Sequence, residues 1–488
     1  MRLARPFAVA ALVLGAASSL APAAAAQQPA ATSSSGRQFT QQVRAFISVD
    51  APVVALTHVR VVDGTGTTAR DDQTIVIEGD RIREVGPSAQ VKPPAGAQVV
   101  DLSGHTVIPG IIGLHDHMYY SSVNGSLRPM LTSYPKLFLG AGVTTIRTTG
   151  SADAYMELNL KAAIGRGEVA GPTMFVTGPY LQGPIGQGTG IMHPLNGPDD
   201  ARRLVRYWSE EGVSWFKAYT TISRAELGAA IEEAHKHGVK VTAHLCSVGF
   251  REAAALGIDN LEHGFLTNTE WYPGKEVDKC PQASDSAVYA GLDVNSPAVQ
   301  QTIQELVKRR VPLTSTLSVF ELGSPTRVPR DERVLEALHP DVAKVVGGWY
   351  DRAKTANDTL ARRIFAKHME FERAFAKAGG LLAAGSDPCC VSAIAGYADQ
   401  RNYELLVEAG FTPEQAVQVM TSNGAKVLGI DKSVGTIAKG MQADMVVLRG
   451  NPVATPGDIR NVVTVFKQGV GYDSAKLIAS LKGMIGVR

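Results

Sequence analysis

The chain has 488 residues, 44% hydrophobic and 19% charged, with a formal charge of +2 at neutral pH. This near-neutral balance gives no electrostatic reason to expect nucleic acid or another polyanion as a partner. The length and apolar fraction describe a large soluble globular protein with ample material for a core.

The first stretch differs in kind from the rest. Arg2 and Arg5 precede an apolar run that ends in small residues before Gln27, the pattern of a secretory signal cleaved after Ala26. The run is short for a membrane span. Residues 1–26 therefore read as a signal peptide, the mature chain as exported to the periplasm or beyond, and no membrane association is expected after cleavage. Residues 27–50, rich in Gln, Ala and Ser, read as a poorly ordered lead-in. From 51 to 108, short alternating runs such as "TIVIEGDRIREVG" are broken by Gly and Asp turns, the texture of a small β-unit. The same texture returns over 432–488 in "GTIAKGMQADMVVLRGNP" and "VVTVFKQGV". The two ends are thus expected to assemble one β-sandwich domain, the second part also carrying the C-terminal tail.

Between 109 and 431 strand patterns alternate with helical ones. The candidate strands are "GIIGLHDH", "GVTTIRTTG", "PTMFVTGPY", "VSWFKAYT", "VKVTAHLC", "IDNLEHGF", "VPLTSTLSV" and "GLLAAGSDP". Strands alternating with helices such as "RAELGAAIEEAHKHG" point to parallel βαβ units. Eight of them in this length give the dimensions of an α/β (β/α)8 TIM barrel. A doubly wound open sheet is the rival, weakened because no glycine-rich phosphate loop follows any strand. The helical stretch Val328–Lys377 reads as an insertion before the eighth strand.

On the first strand, alternation sends His115 and His117 to one side and Asp116 to the other. Two imidazoles at a strand end can hold a cation, or can simply be two polar residues at an edge. In (β/α)8 barrels chemistry sits at the C-terminal strand ends. Those ends supply His115 and His117, then Lys217 on the fourth strand, His244 on the fifth, His263 on the sixth and Asp387 on the eighth. Lys217 lies inside the apolar run "VSWFKAY", where a solvated lysine is out of place, although a structural ion pair would also account for it. Tyr219 faces the same side as Lys217 and could donate to a carbonyl oxygen, or pack in the interior. Arg147 could clamp a substrate carboxylate, or form a structural salt bridge. His193, in the glycine-rich loop "GTGIMHPLNG", could fold over a pocket or lie on the surface; Tyr119 and Tyr120 are candidates for a pocket wall. Of the four cysteines, Cys246 and Cys280 can pair, whereas adjacent Cys389 and Cys390 are not expected to do so without strain. None has the spacing of a cysteine zinc site.

In "HDH", the lysine of "WFKAY", the histidines of "TAHL" and "LEHGF", and the aspartate of "GSDP", the sequence resembles the amidohydrolase superfamily over nearly all of the mature chain. The closing segment "GTIAKGMQADMVVL" fits the same pattern. The resemblance implies a two-metal site: His115, His117 and Asp387 on one divalent cation, His244 and His263 on the other, and Lys217 between them as a carbamate formed with carbon dioxide. Zinc suits imidazole ligands best. It implies a hydroxide shared by the two metals that attacks a carbonyl, with Asp387 carrying the proton to the departing nitrogen. "RTTGS", "HLCSVGFREAAALGIDNLEHGF" and "DQRNYELLVEAGFTPEQA" look like exported bacterial members of the Xaa-Pro dipeptidase-like and imidazolonepropionase-like group, which includes ochratoxin A hydrolases. The implied substrates are small amides, N-acyl amino acids or dipeptides, ochratoxin-type amides among them. Hydrolysis of a cyclic amide or lactone is the enzymatic alternative, a deaminase being disfavoured by Lys217, and an exported non-catalytic binding protein is the alternative of another class. A homo-oligomer is compatible with all of these.

Overall fold

Two sheets of parallel strands and one mixed sheet organise the chain in the computed structural model, which describes residues 31–32, 36–121, 126–184, 192, 194–281 and 287–487. The signal segment and His193 lie outside the described residues. All eight strands expected in the middle of the chain are present. They are β1 (Ile111–Asp116), β2 (Val143–Thr148), β3 (Thr173–Phe175), β4 (Trp215–Ala218), β5 (Lys240–Ala243), β6 (Asn260–Glu262), β7 (Leu313–Ser315) and β8 (Leu382–Ala384). β1, β2 and β4 to β8 are buried along their whole length, apart from Lys240 at the start of β5. Parallel strands are found with both faces covered, and here even the polar side chains they carry, among them Arg147, Lys217 and Glu262, are buried.

β3, β2 and β1 form a three-stranded sheet, and β4 to β8 a five-stranded one, with parallel pairing throughout. The two sheets meet at both edges. Beyond β3, Thr177 bridges Trp215 and Leu181 bridges Ala218. At the other edge the Asp387 amide donates to the His115 carbonyl at 2.7 Å. The intervening helices begin where the sequence signals it. Ser223 and Glu226 form a reciprocal cap on Arg224–Lys236, and Thr412 and Gln415 do the same for Pro413–Met420, each satisfying donors that the first turn leaves open. The expected insertion before β8 is the helical run Glu332–Ala337, Pro340–Ala353 and Thr359–Lys377.

Both chain ends do share one β-structure, but its hydrogen bonding is a single nine-stranded sheet rather than two separate ones. Val53–Val61 is the strand that makes this continuous, pairing with Arg70–Glu78, Gln98–Asp101 and His105–Pro109. Register shifts around His58, which has φ 57°, bend it between partners. Its core mixes residues of both ends, Val54, Leu56 and Ile75 with Met445, Val447 and Phe466.

The reading of 27–50 as a poorly ordered lead-in is corrected over its second half. Ile47–Val49 pairs with Val470–Asp473, and Phe39 and Val43 are buried. A few apolar side chains in a polar segment anchor it, a signal that average composition hides. Cys246 and Cys280 are joined, with Cα atoms 5.0 Å apart. The sulfurs of the adjacent Cys389 and Cys390 lie in contact. Here the chain turns sharply, with Asp387 and Val391 both at φ 49° and Cys390 bridged to Ala393. No helix among the described residues is long and apolar enough to cross a membrane.

Candidate metal centre

The ends of β1, β5, β6 and β8 bring His115, His117, His244, His263 and Asp387 into one cluster. His115 closes β1 and His117 follows it; both turn to the same carboxylate, His117 Nε2 lying 3.1 Å from Asp387 Oδ1 and His115 Nε2 3.7 Å from Oδ2. Asp116 points away, as the alternation requires, and accepts from Ser386 Oγ at 2.9 Å. Ligand atoms of His115, His263 and Asp387 lie within 4.8 Å of one another. Two of these groups sit on left-handed backbone, His263 at φ 66° and Asp387 at φ 49°, a conformation worth roughly 1–3 kcal/mol of local strain that clusters at functional sites.

The rings around this point form a closed circuit. His115 contacts His117 and His263 (centroids 5.3 and 4.3 Å), and His263 contacts His244 at 4.5 Å. His244 contacts Tyr219 at 4.9 Å, and Tyr219 contacts Tyr180 at 5.3 Å. The Tyr180 and Tyr119 hydroxyls are 2.8 Å apart, and Tyr119 stacks on His117 at 4.6 Å. Four imidazoles thus line one arc and three phenols the other. Tyr180, in the loop after β3, is a member that the sequence did not single out.

Burial sets the charge states. It pushes His115 down to about 4 and His244 to about 3, with the Lys217 ammonium adding to both. His263 is held well below its ordinary value by burial and by the neighbouring imidazoles. These side chains are therefore neutral near pH 7, the state in which imidazole binds metal. Burial would raise Asp387, but His115, His117 and Lys217 outweigh it and keep the carboxylate ionised. Lys217, 1% exposed, is lowered to about 8 by burial.

Beneath these side chains lies a network that sequence reasoning missed. Glu262 accepts from His115 Nδ1 at 2.8 Å and from Asn260 Nδ2 at 2.9 Å, and is also bound by Arg147 and Thr242. His263 Nδ1 lies 2.7 Å from Thr316 Oγ1. Such contacts fix which ring nitrogen faces a metal. Arg147 is corrected from a substrate clamp to a buried partner of Glu262. It is fully buried, and its guanidinium lies over the Trp215 ring at 4.5 Å. Tyr120 also stays out of the circuit; buried on the opposite face from Tyr119, it donates to the Val391 carbonyl at 2.9 Å. The sequence signal for Glu262 was present, a carboxylate within the apolar "NLEHGF", but its partners lie up to 147 positions away.

The donor set fits divalent cations. It combines neutral imidazoles, an ionised carboxylate and a desolvated lysine, and the buried His117 Nδ1 has no hydrogen-bond partner among the described residues. The amidohydrolase family model matches residues 106–471. An imidazolonepropionase of Streptomyces avermitilis is 33% identical over 107 residues, 22% of this chain and 25% of that protein, so the match spans only about a quarter of that relative. A candidate prolidase of Bifidobacterium longum superposes with a TM-score of 0.61 at 26% identity, covering 88% of this chain and 98% of its own. The A. niger ochratoxinase gives 0.61 at 18% identity, covering 86% and 95%.

Proposed function

Because the chain belongs to the amidohydrolase family, we propose that it is a metal-dependent hydrolase of carbon–nitrogen bonds, acting on N-acyl amino acids or dipeptides. The carrying observation is the ring circuit, an arc of imidazoles beside Asp387 and Lys217 facing an arc of phenols. The eight parallel strands are read as a closed (β/α)8 barrel over 109–431, which the links at both sheet edges support. The ends 51–108 and 432–488 form its companion domain.

His115, His117 and Asp387 would hold one divalent cation, and His244 and His263 a second, zinc being favoured by the imidazole donors. Divalent cations held there supply Lewis-acid polarisation of a carbonyl and lower the pKa of water. Lys217, as a carbamate, would help to hold both cations. With its pKa near 8, part of the population is the neutral amine that adds to carbon dioxide, releasing a proton. An ammonium there would repel two dications, whereas a carbamate offers each an anionic oxygen.

Asp387, ionised in the resting site, accepts a proton from the attacking water and delivers it to the departing amide nitrogen. Tyr219, half-buried beside His244, donates its hydroxyl to the oxygen on which charge develops. Tyr119 and Tyr180 hold each other and wall the opposite side. With Arg147 committed to Glu262, the Tyr119 and Tyr180 hydroxyls are the polar groups offered to the substrate carboxylate. Ochratoxin-type amides belong in this class, in keeping with the likeness to an ochratoxinase. We further propose export, on the signal-like pattern of residues 1–26.

The test is protein reconstituted with zinc and bicarbonate and offered N-acyl amino acids, Xaa-Pro dipeptides, ochratoxin A and lactones, with products identified by mass. Release of a free amino acid from an amide is expected. Opening of cyclic amides or lactones alone would favour the second reading, which the local match to imidazolonepropionase supports. Binding without turnover would overturn both.

A further inference from the structure

A cavity of about 450 Å3 lies away from the metal centre, between the helices Tyr134–Gly140, Tyr397–Glu408 and Ser474–Ala479. We propose that it is a second ligand site, for a small organic anion with one apolar flank, such as an aryl-substituted carboxylate. Its volume falls within the range of small-molecule sites. Ala141, Tyr397, Val462 and Ile478 give it an apolar wall. Arg333, Arg460 and Lys482 bring three cationic groups to its lining, where Glu336 is the one carboxylate, while Asp331 and Glu404 pair with the arginines from outside the lining.

The two arginines are held in place in advance. Arg333 donates to Asp331 through Nε and Nη2 (3.1 and 2.7 Å) and to Gln400 through Nη1 (2.8 Å), and its guanidinium lies over the Tyr397 ring at 4.4 Å. Arg460 donates to Glu404 through Nε and Nη2 at 2.5 and 2.6 Å, with Nη1 3.5 Å from Asp331. Neither Asp331 nor Glu404 lines the cavity. A guanidinium carries five N–H donors, so each arginine keeps donors beyond those its own carboxylate takes. Groups fixed before binding lose little freedom when a ligand arrives. Lys482 is loosely engaged, 3.8 Å from Glu336 and 73% exposed, and adds an exposed cation at the rim. An anion with a flat apolar side would meet the guanidinium edges with its charge and Tyr397 and Ile478 with its flank.

The test uses the full mature protein and the fluorescent aryl sulfonate 8-anilinonaphthalene-1-sulfonate. Expected is saturable binding of one equivalent per chain, weakened severalfold by salt and displaced by 4-phenylbutyrate. Lys482→Glu should weaken it severalfold. Ala479→Trp, which fills the cavity from an exposed position, should abolish it, with melting temperature and hydrolysis retained. Binding that is unchanged in both variants would overturn the proposal. So would an absence of saturable binding because a second copy of the chain covers the cavity, as read by light scattering and crosslinking at Lys482.

Discussion

Glu262 shows how much of the centre is decided by one side chain. Burial would raise its pKa, but the Arg147 guanidinium and His115 keep it ionised; in return it orients His115 and balances a fully buried Arg147. Glu262→Gln should lower metal affinity about 10–100-fold and cost roughly 3–5 kcal/mol in urea unfolding, because a buried charge loses its partner. Asp387→Asn, by contrast, should keep metal while losing several orders of magnitude in turnover; near-normal turnover would remove the proton-carrying role. Glu157 gives a pH prediction separate from the metal ligands. Burial raises it from 4.5 to about 8, so the folded chain keeps a proton that the unfolded chain gives up at lower pH. Its contribution to stability is complete below about pH 4.5 and is lost as pH rises through about 8. Glu157→Gln should melt like the parent near pH 5 and above it beyond pH 8; parallel melting curves at both pH values would contradict this. At this scale the sequence was legible where the signal is local. "HDH" fixed its own two-residue alternation, whereas Arg147 at a strand end reads alike as clamp or as buried ion pair until Glu262, 115 positions away, is placed beside it.

The strands and their ends position the site, and the tightest point is where β8 meets β1. A Cβ on Gly385 would lie 2.2 Å from the His115 amide nitrogen, a backbone atom that no side-chain rotation can clear. Gly385→Ala should therefore move β8 off β1, costing about 1–3 kcal/mol and lowering bound metal, measured by thermal melting and elemental analysis. Retention of both would mean that the strand ends tolerate more separation than this contact allows. The eight parallel strands were readable from apolar runs such as Ile111–Leu114 and from their alternation with helical patterns. The segment over 38–50 was not, since Phe39 and Val43 bury themselves against partners far along the chain.

Over the whole molecule, the nine-stranded sheet draws strands from both ends of the chain and encloses the parallel layer between them in sequence. His105–Pro109 belongs to that sheet and runs into β1 across Gly110, so the two layers are joined within a residue or two of the first ligand-bearing strand. On the proposed function, six side chains, His115, His117, Lys217, His244, His263 and Asp387, act together on two divalent cations. The most direct test is elemental analysis of the purified mature protein, paired with amide hydrolysis before and after exhaustive chelation. Close to two equivalents of a divalent transition metal per chain are expected, with activity lost on chelation and restored by metal and bicarbonate. A protein with no transition metal whose hydrolysis is undiminished after chelation would contradict it.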